Sequence, residues 1–434
     1  MDMAMQATLI LIAAFTFFLV IGTPISIGIG LSSLVTALVV LPFDVAIFSA
    51  AQKMFTGIDS FALLAVPFFI LSGNIMNRGG IALRLINLAK LIGGRLPGSL
   101  AHANVIGNML FGAISGSAVA AAAAVGGTMA PLQEKEGYDK AFSAAVNIAS
   151  APTGLLIPPS GVLILYSLVS GGTSVAALFV AGYLPGMLMG LSIMIVAYYM
   201  AKKNNYPIEP RRSASEATKI VLDALPSLML IVVVIGGIVA GIFTATEGAA
   251  VAVLYTFVLS MIYKTIKLSD IPELLLGTVV ATGMILFLVA SSSIMSWVMA
   301  FTGIPQAITN SIMGISDNFY VVLLIMNLIL LVIGTFMDLT PAVLIFAPIF
   351  LPIATKFGLS PVHFGIILVF NLSIGIMTPP VGSCLFIGCS VANVKIESVI
   401  KPLIPMFIAL LITLLMVTYI PAISLFLPKL FGVM

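Results

Sequence analysis

FGAISGSAVAAAA (111–123) lies in the middle of an apolar segment, 98–131. That segment is too long for one simple membrane crossing and too interrupted for two lipid-facing ones. GTFMDLTPAV (334–343) plays the same part inside 320–357. Irregular backbone at membrane depth is tolerated only inside protein or beside a cavity. Both segments therefore read as re-entrant hairpins that enter and leave by one face. A second kind of break follows each hairpin, in ASAPTGLLIPPSG (149–161) and LSIGIMTPPVG (372–382). Proline has no amide hydrogen and clashes with the carbonyl one turn earlier, so paired prolines after a glycine force unwinding. The freed carbonyls then join Ser and Thr hydroxyls inside the protein.

The rest of the chain supplies crossings. Of 434 residues, 61% are hydrophobic and 8% charged. The mean hydropathy of +1.24 is too high for one globular core. Runs near 5–23, 25–41, 61–77, 140–170, 175–200, 223–243, 247–263, 274–298, 362–393 and 402–428 each approach the roughly 20 residues a spanning helix needs. The fold class is thus an all-α integral membrane protein, with about ten transmembrane helices plus two re-entrant hairpins. A formal charge of +3, with no basic patch interleaved with aromatics, gives no nucleic-acid signal. Cys384 and Cys389 have neither CxxC spacing nor a nearby histidine, and His102 and His363 are far apart, so no metal cluster is expected. The first apolar run follows Asp2 and no basic residue, and is expected to be a retained span rather than a signal peptide.

Charge sets the orientation, because cytoplasmic loops are enriched in Lys and Arg. This layout puts 15 of the 18 basic residues on one side, Arg78, Arg84, Lys202, Lys203, Arg211, Arg212, Lys264 and Lys267 among them. Only Lys53, Lys356 and Lys429 fall on the other. Both termini of this multi-pass membrane protein are therefore expected outside the cytoplasm.

The halves repeat at an offset near 217–221. Gly22 matches Gly241, and Ser72, Ile75 and Met76 match Ser291, Ile294 and Met295. Ala130-Pro131 matches Ala347-Pro348, Pro158-Pro159 matches Pro379-Pro380, and Pro185 matches Pro405. The polar stretch KKNNYPIEPRRSASEATK (202–219) links the halves. The first repeat, 1–211, holds scaffold spans and an arm (1–97), a hairpin and broken helix (98–170) and a further span (175–200). The second, 212–434, holds scaffold spans (223–298), a hairpin and broken helix (320–393) and a further span (402–428). An odd number of crossings per half turns the second upside down, the layout of secondary transporters with broken helices at the midplane.

Unwound carbonyls suit a hard cation such as sodium, and helix N-termini at the same breaks offer amide hydrogens to a carboxylate. The competing reading is packing, since small-residue runs also let helices approach closely. Asp338, at the second hairpin tip, is costly unless paired or bound to a cation, and serves either a site or a structural hydrogen bond. Glu247 fits a helix cap as well as a function. Asp59 is expected at the interface. Asn147 and Asn371 precede the breaks and are expected to brace them. In 70–98, Ile81, Leu85, Leu88 and Ile92 share a helical face, which reads as an arm lying at the cytoplasmic interface.

The stretches LLAVPFFILSGNIM (63–76), FGAISGSAVAAAAAVGGTMAP (111–131), APTGLLIPPS (151–160), TATEGAAVAVLY (244–255), GTFMDLTPAVLIFAP (334–348) and IGIMTPPVG (374–382) carry a resemblance over nearly the whole chain. The sequence resembles the large membrane subunit of tripartite ATP-independent periplasmic (TRAP) transporters, the DctM family, and most of all its sialic-acid branch. The resemblance implies an ion-transporter-type elevator fold of inverted repeats. It implies one sodium site on Ser115, Ser117, Gly154, Ile157 and Pro159, and another on Gly334, Gly375, Met377 and Thr378. Asp338, Pro158, Pro379 and Pro380 are expected near substrate or ion. Sodium is the implied coupling ion, with no organic cofactor. The implied partners are a separate four-span small membrane subunit, a periplasmic substrate-binding protein, membrane lipid and an organic-anion substrate.

The expected function is sodium-coupled uptake of an organic anion, first sialic acid (N-acetylneuraminate), otherwise a C4-dicarboxylate or another sugar acid. No GxxxxGK followed by Ser or Thr is present, which fits uptake without nucleotide hydrolysis. An intramembrane enzyme would need a nucleophile–base pair or HExxH, and neither pattern occurs. An anion channel built from matched inverted halves is the remaining alternative.

Overall fold

The computed structural model describes residues 3–209 and 213–434. Asp2, Arg211, Arg212 and the expected boundary at 211/212 lie outside the described residues. The first half runs α1 (Met3–Val20), α2 (Ile25–Val40), α3 (Phe43–Ile58), a 3-10 turn (Phe61–Leu64) continuing into α4 (Ala65–Arg78), α5 (Ile81–Gly93), α6 (Ser99–Ser115), α7 (Ala118–Lys135), α8 (Lys140–Ser150), a second 3-10 turn (Ala151–Leu155), α9 (Gly161–Val169) and α10 (Val175–Lys203). The second half runs α11 (Ala214–Val239), α12 (Ala245–Ile262), α13 (Ile271–Thr302), α14 (Ile304–Ile315), α15 (Phe319–Phe336), α16 (Leu339–Lys356), α17 (Pro361–Gly375), α18 (Ser383–Ala392), α19 (Ile396–Tyr419) and α20 (Pro421–Leu430). Among the described residues, nine helical segments are long and apolar enough to cross a membrane. Two of them are α15 and α16, the arms of the second hairpin.

Both hairpins form where the small-residue runs predict them. α6 ends on Gly116 at φ 61°, a left-handed conformation open to glycine, and Ser117 starts α7 by accepting the amide of Ala120. Both broken helices form as well. α8 gives way to a 3-10 turn and non-helical backbone before α9, and α17 ends before the second Pro-Pro pair and resumes as α18. Glu247 closes a capping box with Thr244, its carboxylate accepting the Thr244 amide at 2.8 Å.

Three features depart from the sequence reading. The last expected span is two helices, because the helix stops at Ile420 ahead of Pro421. Helix α3 was not expected, because Asp44, Gln52 and Lys53 interrupt its apolar pattern; it buries Ala46 and Ala50 beside Ile294 and Val298 of α13. Of the four arm residues assigned to one face of α5, Ile81, Leu85 and Leu88 are buried, but Ile92 is 56% exposed. α14 repeats this arm in the second half. Each arm helix follows a left-handed glycine, Gly80 (φ 66°) or Gly303 (φ 75°), which turns the chain sharply out of a crossing.

The helices pack as two groups. α1 to α4 join α11 to α14, while α6 to α10 join α15 to α20. The arm α5 packs on both α6 and α11. Arg84 fixes it to the first group, with Nε 3.0 Å from the Asp223 carboxylate and the guanidinium 3.4 Å above the Tyr263 ring. Arg78 of α4 pairs with Glu273 of α13. Between the groups, α4 meets α6 and α9, and α13 meets α16.

Candidate substrate and ion site

Each hairpin meets its broken helix through a pair of glycines. A Cβ built on Gly154 would lie 2.2 Å from the Gly112 Cα, and one built on Gly375 would lie 2.4 Å from the Gly334 Cα. Backbone touches backbone at both places, which no larger residue permits. Just beneath, each repeat carries a buried asparagine pair. Asn108 Nδ2 donates to Asn147 Oδ1 at 3.0 Å and to Ser150 Oγ at 2.8 Å. In the second repeat Asn371 Nδ2 donates to Asn327 Oδ1 at 2.7 Å. Asn147 and Asn371 brace as expected, but across to the hairpins: Asn147 Nδ2 reaches the Ala122 carbonyl at 2.8 Å and Asn371 Nδ2 the Asn327 carbonyl at 3.0 Å. Amide hydrogen bonds in an apolar interior hold one geometry, because the alternative is an unsatisfied buried group.

A cavity of about 340 Å³ lies between the two hairpin tips. The first tip contributes Ser115, Gly116 and Ser117, and the first break contributes Pro159. The second tip contributes Asp338, Leu339 and Thr340, with Ile376 and Ser383 from the second broken helix. Asn74 and Asn77 of α4 and Ala281 and Ile285 of α13 form the facing wall. Asp338 precedes α16 without capping it, and its carboxylate accepts the Ser383 hydroxyl at 3.2 Å. No Lys, Arg or His lines this cavity among the described residues.

The residues expected at the first sodium site divide. Ser115, Ser117 and Pro159 reach the cavity, while Gly154 sits behind it on Gly112 and Ile157 packs on Gly186. Ser115 Oγ lies 3.4 Å from the Ser117 amide, and a Cβ on Gly116 would be 3.3 Å from the Pro159 carbonyl oxygen. Several oxygens of the tip and the break are thus close together. Pro158 is buried. The second set clusters around the other glycine pair, outside the cavity lining. Thr378 Oγ1 donates to the Ile374 carbonyl at 2.8 Å, Met377 is buried, and the Val381 amide reaches the Thr335 carbonyl of the hairpin tip at 3.2 Å. Pro379 and Pro380 are exposed. The sequence reading missed Asn74, Asn77 and Ser383 in the cavity, and Asn108 and Asn327 beneath the tips. Asn108 and Asn327 were detectable, since they stand at the repeat offset of 219.

Residues 12–423 match the family described as "Tripartite ATP-independent periplasmic transporter, DctM component". The chain belongs to this family. It is 57% identical to the uncharacterized protein YgiK of Salmonella typhimurium, over 98% of each chain. It is 41% identical to the C4-dicarboxylate TRAP transporter large permease protein DctM of Pseudomonas aeruginosa, over 93% of this chain and 94% of that one. It is 38% identical to the sialic acid TRAP transporter large permease protein SiaM of Vibrio cholerae, over 94% and 96%. The fold is that of the YdaH transporter of Alcanivorax borkumensis, with a TM-score of 0.59 at 15% identity, covering 86% of this chain and 88% of the other. As a DctM-family permease it is a multi-pass inner-membrane protein for organic acids and no enzyme. The TRAP family pairs such a permease with a small membrane subunit and a periplasmic binding protein.

Proposed function

We propose that this DctM-family permease takes up a hydroxylated organic acid of the sialic-acid type, driven by sodium. The lining of the cavity carries the substrate reading. A carboxylate (Asp338), four hydroxyl residues and two asparagine amides surround a volume in the range of small-molecule sites. Asp338 accepts hydrogen bonds from substrate hydroxyls and repels carboxylates. A sugar acid with one carboxylate and several hydroxyls fits that lining better than a dicarboxylate. The one negative group of such a substrate is met by the amides and hydroxyls of the tips, where α7 begins. A C4-dicarboxylate is the second reading, favoured by the name of the Pseudomonas relative.

Sodium coupling rests on the oxygens gathered at each tip and break. In this reading Ser115, Ser117 and Pro159 at the first tip and break, with Gly154 and Ile157 behind them, would hold one cation, and Gly334, Gly375, Met377 and Thr378 the other. The group holding the hairpins would move as an elevator against the group holding α4 and α13. Both termini lie on the periplasmic side in this reading.

The test is uptake into proteoliposomes containing the chain and its small subunit, with the binding protein outside. Sialic acid should accumulate only with binding protein and an inward sodium gradient. Sodium-dependent uptake of succinate without sialic acid would replace the substrate; uptake indifferent to sodium and binding protein would overturn the mechanism. The double variant Ser115→Ala, Thr378→Ala removes one hydroxyl from each prospective cation position. It is expected to weaken the sodium dependence about tenfold, as the half-saturating sodium concentration, while size-exclusion behaviour stays unchanged. Unaltered sodium dependence in a folded variant would reject the site assignment.

A further inference from the structure

The cavity is displaced from the pseudo-symmetry of the scaffold, and the displacement identifies residues that serve the opposite conformation. At offset 219, α4 and α13 are counterparts, and burial confirms the register: Ser72 and Ser291 are each 1% exposed, Ile75 and Ile294 each 3%, and Met76 and Met295 are both buried. Inverted repeats place such counterparts at mirrored depths. A cavity on the pseudo-axis would therefore be walled by equivalent residues of the two helices. It is not. On α4 the lining extends to Asn74 and Asn77, next to Arg78, and their counterparts Ser293 and Ser296 do not line the cavity. On α13 the lining is Ala281 and Ile285, whose counterparts are Ala62 and Val66. The cavity thus lies towards the end of the scaffold that carries the Arg78–Glu273 pair.

The surroundings of these residues repeat too. Asn74 Nδ2 donates to Thr278 Oγ1 at 3.0 Å from the part of α13 nearest that end. Ser293, its counterpart, packs against Gly57 of α3, where a Cβ would lie 2.0 Å from the Ser293 hydroxyl. α3 therefore stands to the far half of α13 as the near half of α13 stands to α4. This gives the unexpected helix a place in the repeat.

We propose that Ser293 and Ser296, with Ala62 and Val66, form the scaffold wall of the same cavity in the opposite conformation. This rests on the alternating-access reading above. When the hairpin group shifts away from the Arg78 end, the tips leave Asn74 and Asn77 and meet the two serines. An organic acid arriving from the far side would then face hydroxyls in place of carboxamides. Val66 already borders the cavity, so the two walls overlap on α4.

Single cysteines test this in the chain with its small subunit, in a background of Cys384→Ala and Cys389→Ala. A membrane-impermeant maleimide is applied to right-side-out and to inside-out vesicles. Asn77→Cys is expected to react about tenfold faster from the face carrying Arg78, and Ser296→Cys about tenfold faster from the opposite face. Sodium, or any condition that slows one reaction, should speed the other. Ala62→Cys gives a second probe and should follow Ser296→Cys. Reaction of Ser296→Cys and Ala62→Cys from the Arg78 face would overturn the proposal, as would their indifference under conditions that change Asn77→Cys. If all three positions are indifferent while sodium-driven uptake continues, the alternating-access reading fails, and this inference with it.

Discussion

Gly154→Ala is expected to reduce uptake about 100-fold, and Gly375→Ala to do the same from the other repeat, because overpacking of about 3 kcal/mol in a site that must close converts to that factor. The added methyl would meet Gly112 Cα at 2.2 Å in one variant and Gly334 Cα at 2.4 Å in the other. Neither obstacle is a side chain that can rotate aside. The hairpin must move off the broken helix, carrying Ser115 and Ser117 away from Pro159, or Gly334 away from Thr378. Gly127→Ala is the control, since a Cβ there meets nothing within 4 Å. Its uptake should match the parent within about twofold, being a change to a better helix former in open space. Normal uptake by Gly154→Ala would show that the close contact is not needed for transport.

Asn108→Leu is the second large effect, and it acts on stability. Its Nδ2, with two hydrogens to donate, lies within hydrogen-bond reach of Asn104 Oδ1 at 3.0 Å, Asn147 Oδ1 at 3.0 Å and Ser150 Oγ at 2.8 Å. All four residues are at most 3% exposed. Removing the donor leaves buried acceptors without it, at roughly 1–3 kcal/mol for each one left unsatisfied. The apparent melting temperature in detergent should fall by several degrees, read by loss of the monodisperse peak after heating. Asn371→Leu should behave alike, because it strands Asn327 Oδ1. A melting temperature within one degree of the parent would show that other donors, or water, take over.

The hairpins and broken helices were legible because clustered glycines and serines and paired prolines act through local backbone physics, whereas single prolines such as Pro131, Pro185 and Pro348 are carried inside helices. Pro158-Pro159 and Pro379-Pro380 stop helices wherever they stand. Other features depend on tertiary placement. α3 escaped because its Ala46 and Ala50 are buried only against α13, and alanines give little amphipathic signal. Ile92 was assigned to the packed face by spacing alone, yet the packing surface ends before it reaches that residue. The cavity wall on α4 could not be read, since Asn74 and Asn77 have no local pattern that distinguishes a lining amide from a bracing one. Gly154 and Gly334 were expected as ion ligands by resemblance; the geometry adds that their lack of a side chain is itself required.

The absence, among the described residues, of any cationic side chain from the cavity lining has an electrical consequence. An anion bound beside Asp338 makes a doubly negative load, and moving such a load past apolar helices costs far more than binding it. Cations bound at the tips would cancel that charge and lower the barrier. A carrier whose own residues neutralised the substrate could slip back empty-handed of sodium and drain its gradient. In the sodium-coupled reading proposed above, a carrier without them would resist this leak through electrostatics.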